Sequence, residues 1–330
     1  MQFENINKGY NSTFQFGRLS VGLVVPIERY EHSPVPAMNR DIARVKLAEE
    51  LGFSAVWLRD VPFNVPNFGD AGQTFDPFVY LGFLAAQTKR IGLGVASINL
   101  PLRHPLHVAK SAASIDKLSG GRLLLGVASG DRPQEYPAMD FDFDKRGLRF
   151  RESFEYIRQM QSTVPVFNNV YGSLRGDIDM LPKASGEKLP LLVTGGSQQD
   201  PKWIAKHADG WMLYPQSAEI QQKIISKWHA TLAEFNRLPQ PVMQPFYLDL
   251  VASKQSRPQP IHLGLRTDTE FLIEYLTSLE AAGVNHVALN LRFNKSDIDD
   301  TLAILASDVL PHFNNKSKQH NETVCEELIS

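Results

Sequence analysis

The chain of 330 residues contains a single cysteine, Cys325, set in a polar C-terminal stretch. An internal disulfide is therefore excluded, and this cysteine usage points to a reducing, cytoplasmic setting. Long apolar runs are also missing: none approaches the ~20 residues that a membrane span requires. The first residues, Met1-Gln2-Phe3-Glu4-Asn5, show no basic region followed by an apolar one, so no signal peptide is read. Charge of one sign is lacking too. With 34 Lys and Arg against 36 Asp and Glu, the net charge is −2, and no basic run stands out. Nucleic acid and anionic membrane are thereby set aside as partners. There is no P-loop, no His-Glu-x-x-His, no Cys or His cluster at metal-ligand spacing and no Gly-x-Ser-x-Gly elbow. These absences argue against metal and serine-hydrolase chemistry. Asn11-Ser12-Thr13 is a glycosylation sequon that means nothing in a cytoplasmic protein.

What remains is ordinary globular composition, 43% apolar and 21% charged. At this length the chain is either two domains or one α/β barrel. Apolar strand patterns alternate with helical ones throughout. Strands are predicted over residues 19–25, 54–59, 91–97, 122–128, 190–193, 210–214, 246–252 and 284–291, by continuous apolar runs bounded by Gly and Pro. Helices are predicted over 38–51, 77–88, 107–118, 147–162, 201–207, 219–235, 269–282 and 297–310. Asn39 is a candidate N-cap and Gly52 a C-terminal stop, and Thr267-Asp268-Thr269-Glu270 reads as a capping box. Eight strands each followed by a helix predict an α/β fold of the (β/α)8 TIM-barrel type, as one domain over residues 1–310 with a polar tail over 311–330. An open doubly wound sheet is the weaker alternative, because nothing marks a break into halves. Residues 163–188 interrupt the repeat and are read as an insertion between strands four and five.

Several residues at predicted strand ends could carry chemistry. Gly92-Leu93-Gly94-Val95-Ala96-Ser97 superficially matches a dinucleotide fingerprint. It is rejected, because the glycines lie inside the strand and no helix follows at once. Gly195-Gly196-Ser197-Gln198 follows a strand and precedes a helix. There, backbone N–H groups and the helix N-terminus favour an anion by about 0.3–1 kcal/mol; a tight turn with a serine cap explains the same residues equally well. Asp60 ends the second strand and is a candidate catalytic carboxylate or a solvated loop residue. His104, before Pro105, is a candidate acid or base, although a backbone-bonding role is favoured. Ser129, Gly130 and Asp131 end the fourth strand. Arg146, Arg149, Arg151 and Glu152 open the next helix as surface ion pairs or anion contacts.

Four groups of residues together resemble the bacterial luciferase-like monooxygenase family. They are Leu100-Pro101-Leu102-Arg103-His104-Pro105 with Asp116-Lys117-Leu118-Ser119-Gly120-Gly121-Arg122; Ala48-Glu49-Glu50-Leu51-Gly52-Phe53 before Val56-Trp57-Leu58-Arg59-Asp60; Gly195-Gly196-Ser197 before Ala208-Asp209-Gly210-Trp211; and Ala282-Gly283-Val284. The resemblance spans residues 19–310 and specifies no substrate. It implies a TIM barrel that binds FMN, or the related deazaflavin coenzyme, at the C-terminal mouth. The flavin ring would rest near Ser97 and Asn99, against a cis peptide at Ala96–Ser97. Gly195, Gly196 and Ser197 would hold the phosphate, with Ser129 at the mouth. The implied activity is oxygenation of a small organic substrate with reduced FMN and O₂, and the resemblance implies a homodimer. No nicotinamide fingerprint is visible, so a separate reductase is the expected source of reduced flavin. Many family members have His after the acidic residue that ends strand two, where this chain has Val61. Luciferase-type members have Arg at the end of strand four, where this chain has Ser129. These departures remove the basis for light emission. They also keep a non-catalytic flavin-binding protein in view; a deazaflavin-dependent hydride-transfer oxidoreductase is the other rival.

Overall fold

The computed structural model describes residues 2–251 and 257–314. In chain order the first half holds α1 (Lys8–Thr13), β1 (Ser20–Val24), α2 (Asp41–Leu51), β2 (Ala55–Leu58), α3 (Pro77–Gln87), β3 (Gly92–Asn99), α4 (Pro105–Leu118), β4 (Leu123–Ala128) and α5 (Arg146–Gln159). The second half holds β5 (Val166–Asn169), β6 (Gly172–Arg175), β7 (Leu191–Thr194), α6 (Pro201–His207), β8 (Gly210–Met212), α7 (Ala218–Glu234), β9 (Val242–Leu250), β10 (Gln259–Ile261), β11 (Gly264–Thr267), α8 (Thr269–Ala281), β12 (His286–Asn290), α9 (Ile298–Ile304) and α10 (Pro311–Asn314). The strands β1, β2, β3, β4, β7, β8, β9 and β12 pair in that order, all parallel, and β12 pairs with β1. This is the closed (β/α)8 barrel that the alternating pattern predicts.

The apolar residues divide between two cores because each barrel strand is buried on both faces. The larger core lies between strands and helices and includes Leu23, Val56, Val95, Leu125, Val193 and Leu289. The smaller fills the barrel interior with Trp57, Leu124, Leu192, Met212, Met243 and Ala288. The N-terminal segment closes the lower end, where Tyr10 and Phe14 join the interior core. Its placement is fixed by Asn7, whose side-chain amide donates to Asp116 Oδ1 and to the carbonyl of Leu123, each at 2.9 Å. Glycines in β3 make this interior possible: a Cβ on Gly94 would stand 2.3 Å from Cε3 of Trp57. The Gly-x-Gly pattern of β3 is thus a packing feature. Gly94→Ala is expected to cost about 1–3 kcal/mol by overpacking, read as a lower urea midpoint; an unchanged midpoint would contradict this packing.

Some local expectations shift. Strand seven begins at Val242, earlier than the apolar run alone suggests. The N-cap of α8 is Asp268, accepting from Phe271 N–H at 3.0 Å, while Thr267 ends β11. Asn39 does not cap α2; Arg40 occupies that position and makes no side-chain cap bond, whereas Gly52 does take the left-handed conformation that ends the helix. The hairpin of β10 and β11, which extends β9, has too few apolar residues to be read as strands. Between α5 and β7 the chain forms the two-stranded hairpin β5–β6. The predicted polar tail begins with a short helix, α10; residues 315–330, with Cys325, lie outside the described residues.

Candidate active site

The parallel strands end together at one mouth, and β3, β4 and β7 are neighbours there. The sequence therefore brings Ala96, Ser97 and Asn99, Ser129, and Gly195–Ser197 to one side of that mouth. The Ala96–Ser97 peptide bond is cis, and the pairing of β3 with β4 shifts between Val95 and Ile98. The Ser97 hydroxyl is hydrogen-bonded to the hydroxyl of Thr194, the last residue of β7. That contact ties the end of β3 to the glycine turn.

Asp60 lies beneath this wall. Its carboxylate, 1% exposed, takes a two-pronged contact from Arg103: Nε donates to Oδ2 at 2.9 Å and Nη2 to Oδ1 at 2.7 Å. Oδ2 also accepts the backbone N–H of Asn99 at 3.1 Å. Asp60 therefore fixes where β3 ends. The fork geometry suits Arg, whose planar donors match both carboxylate oxygens. Arg103 reaches Asp76 as well, at 2.8 Å, and these two carboxylates hold its proton more firmly than usual.

The loop after β4 completes the wall. Ser129 is buried, and its carbonyl accepts the hydroxyl of buried Tyr136. A Cβ on Gly130 would sit 2.4 Å from Asn99 Nδ2 and 2.7 Å from the Tyr136 hydroxyl, so glycine admits that close approach. Further along, Glu135 is 3% exposed. Burial pushes its carboxyl up to about 7; Arg132 opposes the rise, while Asp60 and Asp131 add to it. Nothing in the sequence singled Glu135 out, because it lies in a short irregular turn without a motif.

Gly195, Ser197 and Gln198 all have positive φ, of 53°, 44° and 59°. The turn is held by Gly195 N–H donating to the Met212 carbonyl at 2.8 Å and by Trp211 Nε1 donating to the Gly195 carbonyl at 2.8 Å. Gln199 links it to α5, donating to the Gly147 carbonyl at 2.8 Å and accepting from Arg151 Nε at 2.9 Å. A Cβ on Gly195 would meet no atom within 4 Å, and one on Gly196 only the Gln199 carbonyl at 3.8 Å. The turn thus presents open backbone. Beside it, at the start of α5, Arg146 donates from Nη1 to the Phe143 carbonyl at 2.9 Å, while its buried Nε has no hydrogen-bond partner among the described residues. A concave glycine turn flanked by an arginine with donor capacity to spare fits a phosphate. Of the other α5 arginines, Arg149 donates to the Pro101 carbonyl at 3.1 Å and Arg151 serves Gln199.

His104 lies apart from this cluster. It is the N-cap of α4, with Nδ1 accepting from Leu106 N–H at 3.3 Å and its ring against Tyr156 and Tyr171. Burial and His107 hold its pKa below the usual histidine value. Across the mouth, Arg59 and Arg292 contact Asp70 at 2.7 and 2.8 Å, which pins the loop after β2. Among the described residues no group of three or more His, Cys, Asp or Glu could hold a metal, and no helix is long and apolar enough to cross a membrane.

A closed (β/α)8 barrel with its polar groups gathered at the C-terminal mouth has the layout of a TIM-barrel enzyme. The model of the luciferase-like monooxygenase family matches residues 19–253, and the chain belongs to that family. An uncharacterized protein of Mycobacterium tuberculosis is 31% identical over 198 residues, covering 55% of this chain and 70% of its own length. Among solved structures, monooxygenase RslO1 from Streptomyces bottropensis superposes with a TM-score of 0.73 at 19% identity, over 89% of this chain and 99% of its own. An F420-dependent secondary alcohol dehydrogenase, in complex with an F420-acetone adduct, does so at 0.71 and 17%, over 90% and 99%. At these identities the structures show a shared fold.

Proposed function

We propose that this family member is an FMN-dependent monooxygenase that oxygenates a small organic substrate. The observation that carries the reading is the open glycine turn after β7 with Arg146 beside it. It offers a phosphate site one strand away from the polar wall of β3 and β4. Reduced FMN, when bound, supplies the two electrons needed to place one oxygen atom of O₂ in a substrate and the other in water. The chain's own residues do the rest. The backbone N–H groups of Gly196 and Ser197 and the guanidinium of Arg146 hold the phosphate, while the Gly195 N–H, taken by the Met212 carbonyl, shapes the turn. Ser97, Asn99 and Ser129 line the place of the ring. Asp60 and Arg103 act as positioning residues that fix Asn99. His104 is assigned to α4 and given no step. A separate reductase supplies the reduced flavin.

The deazaflavin reading stands as the second, favoured by the fold shared with the F420-dependent dehydrogenase. A non-catalytic flavin-binding protein is the third. Gly196→Trp tests the site they have in common. A Cβ at this position meets only the Gln199 carbonyl, at 3.8 Å, so the melting temperature should stay unchanged while FMN affinity, read by fluorescence titration, falls at least about tenfold, the equivalent of ~1.4 kcal/mol. Wild-type affinity in that variant would overturn the phosphate assignment. Oxygen uptake by the FMN-loaded protein against hydride exchange with F420 then separates the first two readings, and neither activity would leave the third.

A further inference from the structure

One buried titratable group at the mouth is not used by the reading above. Glu135 lies on the loop after β4, 3% exposed, and its Oε1 has no hydrogen-bond partner among the described residues. Arg132 Nη1 is 3.8 Å from that oxygen and is likewise buried without a hydrogen-bond partner among the described residues. An ion pair that left both facing atoms unsatisfied would be a poor structural device, since each unmet buried group costs about 1–3 kcal/mol. The charged and titratable groups that face Glu135 are Arg132 and Asp131 from its own loop, Asp60 from the end of β2, and Tyr136 next in sequence. The Asn99 side chain lies close to its carboxyl and partly offsets the rise. Asn99 ends the strand that carries the Ala96–Ser97 wall, so Glu135 is connected to the ring site through one side chain.

We propose that Glu135 is the acid of the reaction: its carboxyl, next to Asn99 with one oxygen unpartnered, gives its proton to the oxygen atom that leaves as water. This rests on the monooxygenase reading. Overall, the reduced flavin gives up two electrons and two protons, and the substrate gives up two electrons. O₂ takes all four electrons, one oxygen atom entering the substrate and the other leaving as water with both protons. Glu135 passes one proton to that oxygen and regains one from the reduced flavin or solvent, so it is unchanged over the cycle. Without organic substrate both oxygen atoms leave as hydrogen peroxide, and the oxygen again takes a proton from Glu135. A carboxyl that titrates near neutral pH suits this role, because it is protonated often enough to give and acidic enough to release. Its burial among two carboxylates and one arginine provides that tuning.

The test uses two readouts. In the flavin-free protein, infrared difference spectra should show a protonated-carboxyl band that titrates near pH 7, is absent from Glu135→Gln, and moves to higher pH in Arg132→Gln, because that change removes the stabilising positive charge. In protein loaded with FMN, photoreduced and mixed with O₂, the flavin reoxidation rate should fall as pH rises through the same midpoint. Glu135→Gln should reoxidise about 10²-fold more slowly with no such midpoint, while its FMN affinity stays within about twofold of wild type. The midpoint should move upward in Arg132→Gln, which keeps the test decisive if Glu135→Gln fails to fold. A wild-type rate and pH profile in Glu135→Gln, or an unmoved midpoint in Arg132→Gln, overturns this proposal alone. If wild-type protein takes up no FMN, the functional reading fails and this proposal with it.

Discussion

Asp60→Ala is expected to destabilise the protein by about 3 kcal/mol and to weaken flavin binding at the same time. The carboxylate is buried and satisfies three donors: two from Arg103 and the backbone N–H of Asn99. Its removal leaves the Asn99 N–H unpaired and Arg103 with only the half-exposed Asp76. The loss comes mainly from the partners left behind, not from the intrinsic strength of the pair. Asp60→Asn separates the two effects. The amide oxygen can still accept from Asn99, so the end of β3 should hold, whereas the charge that balances Arg103 is gone. Urea denaturation should therefore rank wild type above Asp60→Asn above Asp60→Ala. If Asp60→Ala matched wild type in both midpoint and FMN affinity, the positioning role would be wrong.

The second large effect is acid sensitivity from the bottom of the barrel. His286 is fully buried, with Nε2 accepting from Trp57 Nε1 at 2.8 Å and Nδ1 2.7 Å from the Ser20 hydroxyl. Burial holds its pKa down to about 3, against an ordinary value of 6.5. The unfolded chain therefore takes up a proton before the folded one does. The stability contributed by neutral His286 is fully present above about pH 6.5 and is lost as pH falls toward 3. At about 1.4 kcal/mol per pH unit, the loss reaches ~4 kcal/mol by the acid end of that window. His286→Gln removes the titration but keeps hydrogen-bonding capacity. Between pH 7 and pH 4, wild type should lose several kcal/mol more than the variant in urea denaturation. Parallel losses in the two proteins would show that His286 does not carry the effect.

The fold was legible because a parallel barrel writes itself in apolar runs of regular spacing. Each barrel strand is buried on both faces, and Pro105, Gly52 and Pro201 mark helix ends by backbone geometry alone. The hairpin β10–β11 and the N-terminal plug were not legible, because their residues are mostly polar or few, and tertiary contacts such as Asn7 with Asp116 hold them in place. The site was half legible. Gly195–Ser197 has a turn signature that a phosphate shares with an ordinary cap, and only the open space above the glycines speaks for the ligand. Arg146 could not be told from Arg149 and Arg151 in sequence; the difference is an unpaired nitrogen, which is a property of packing. Glu135 carried no signal at all, since its character comes from burial and from Asp60, at the end of β2, meeting Asp131 and Arg132 of its own loop.

The central claim is that this barrel holds a flavin by its phosphate on the turn after β7. Parallel fluorescence titrations with FMN and with riboflavin, which lacks the phosphate, test it most directly. The account predicts that FMN binds at least about tenfold more tightly than riboflavin, a difference of ~1.4 kcal/mol, and that Arg146→Ala narrows the gap. Equal affinity for the two, or a gap that Gly196→Trp and Arg146→Ala both leave untouched, would contradict it.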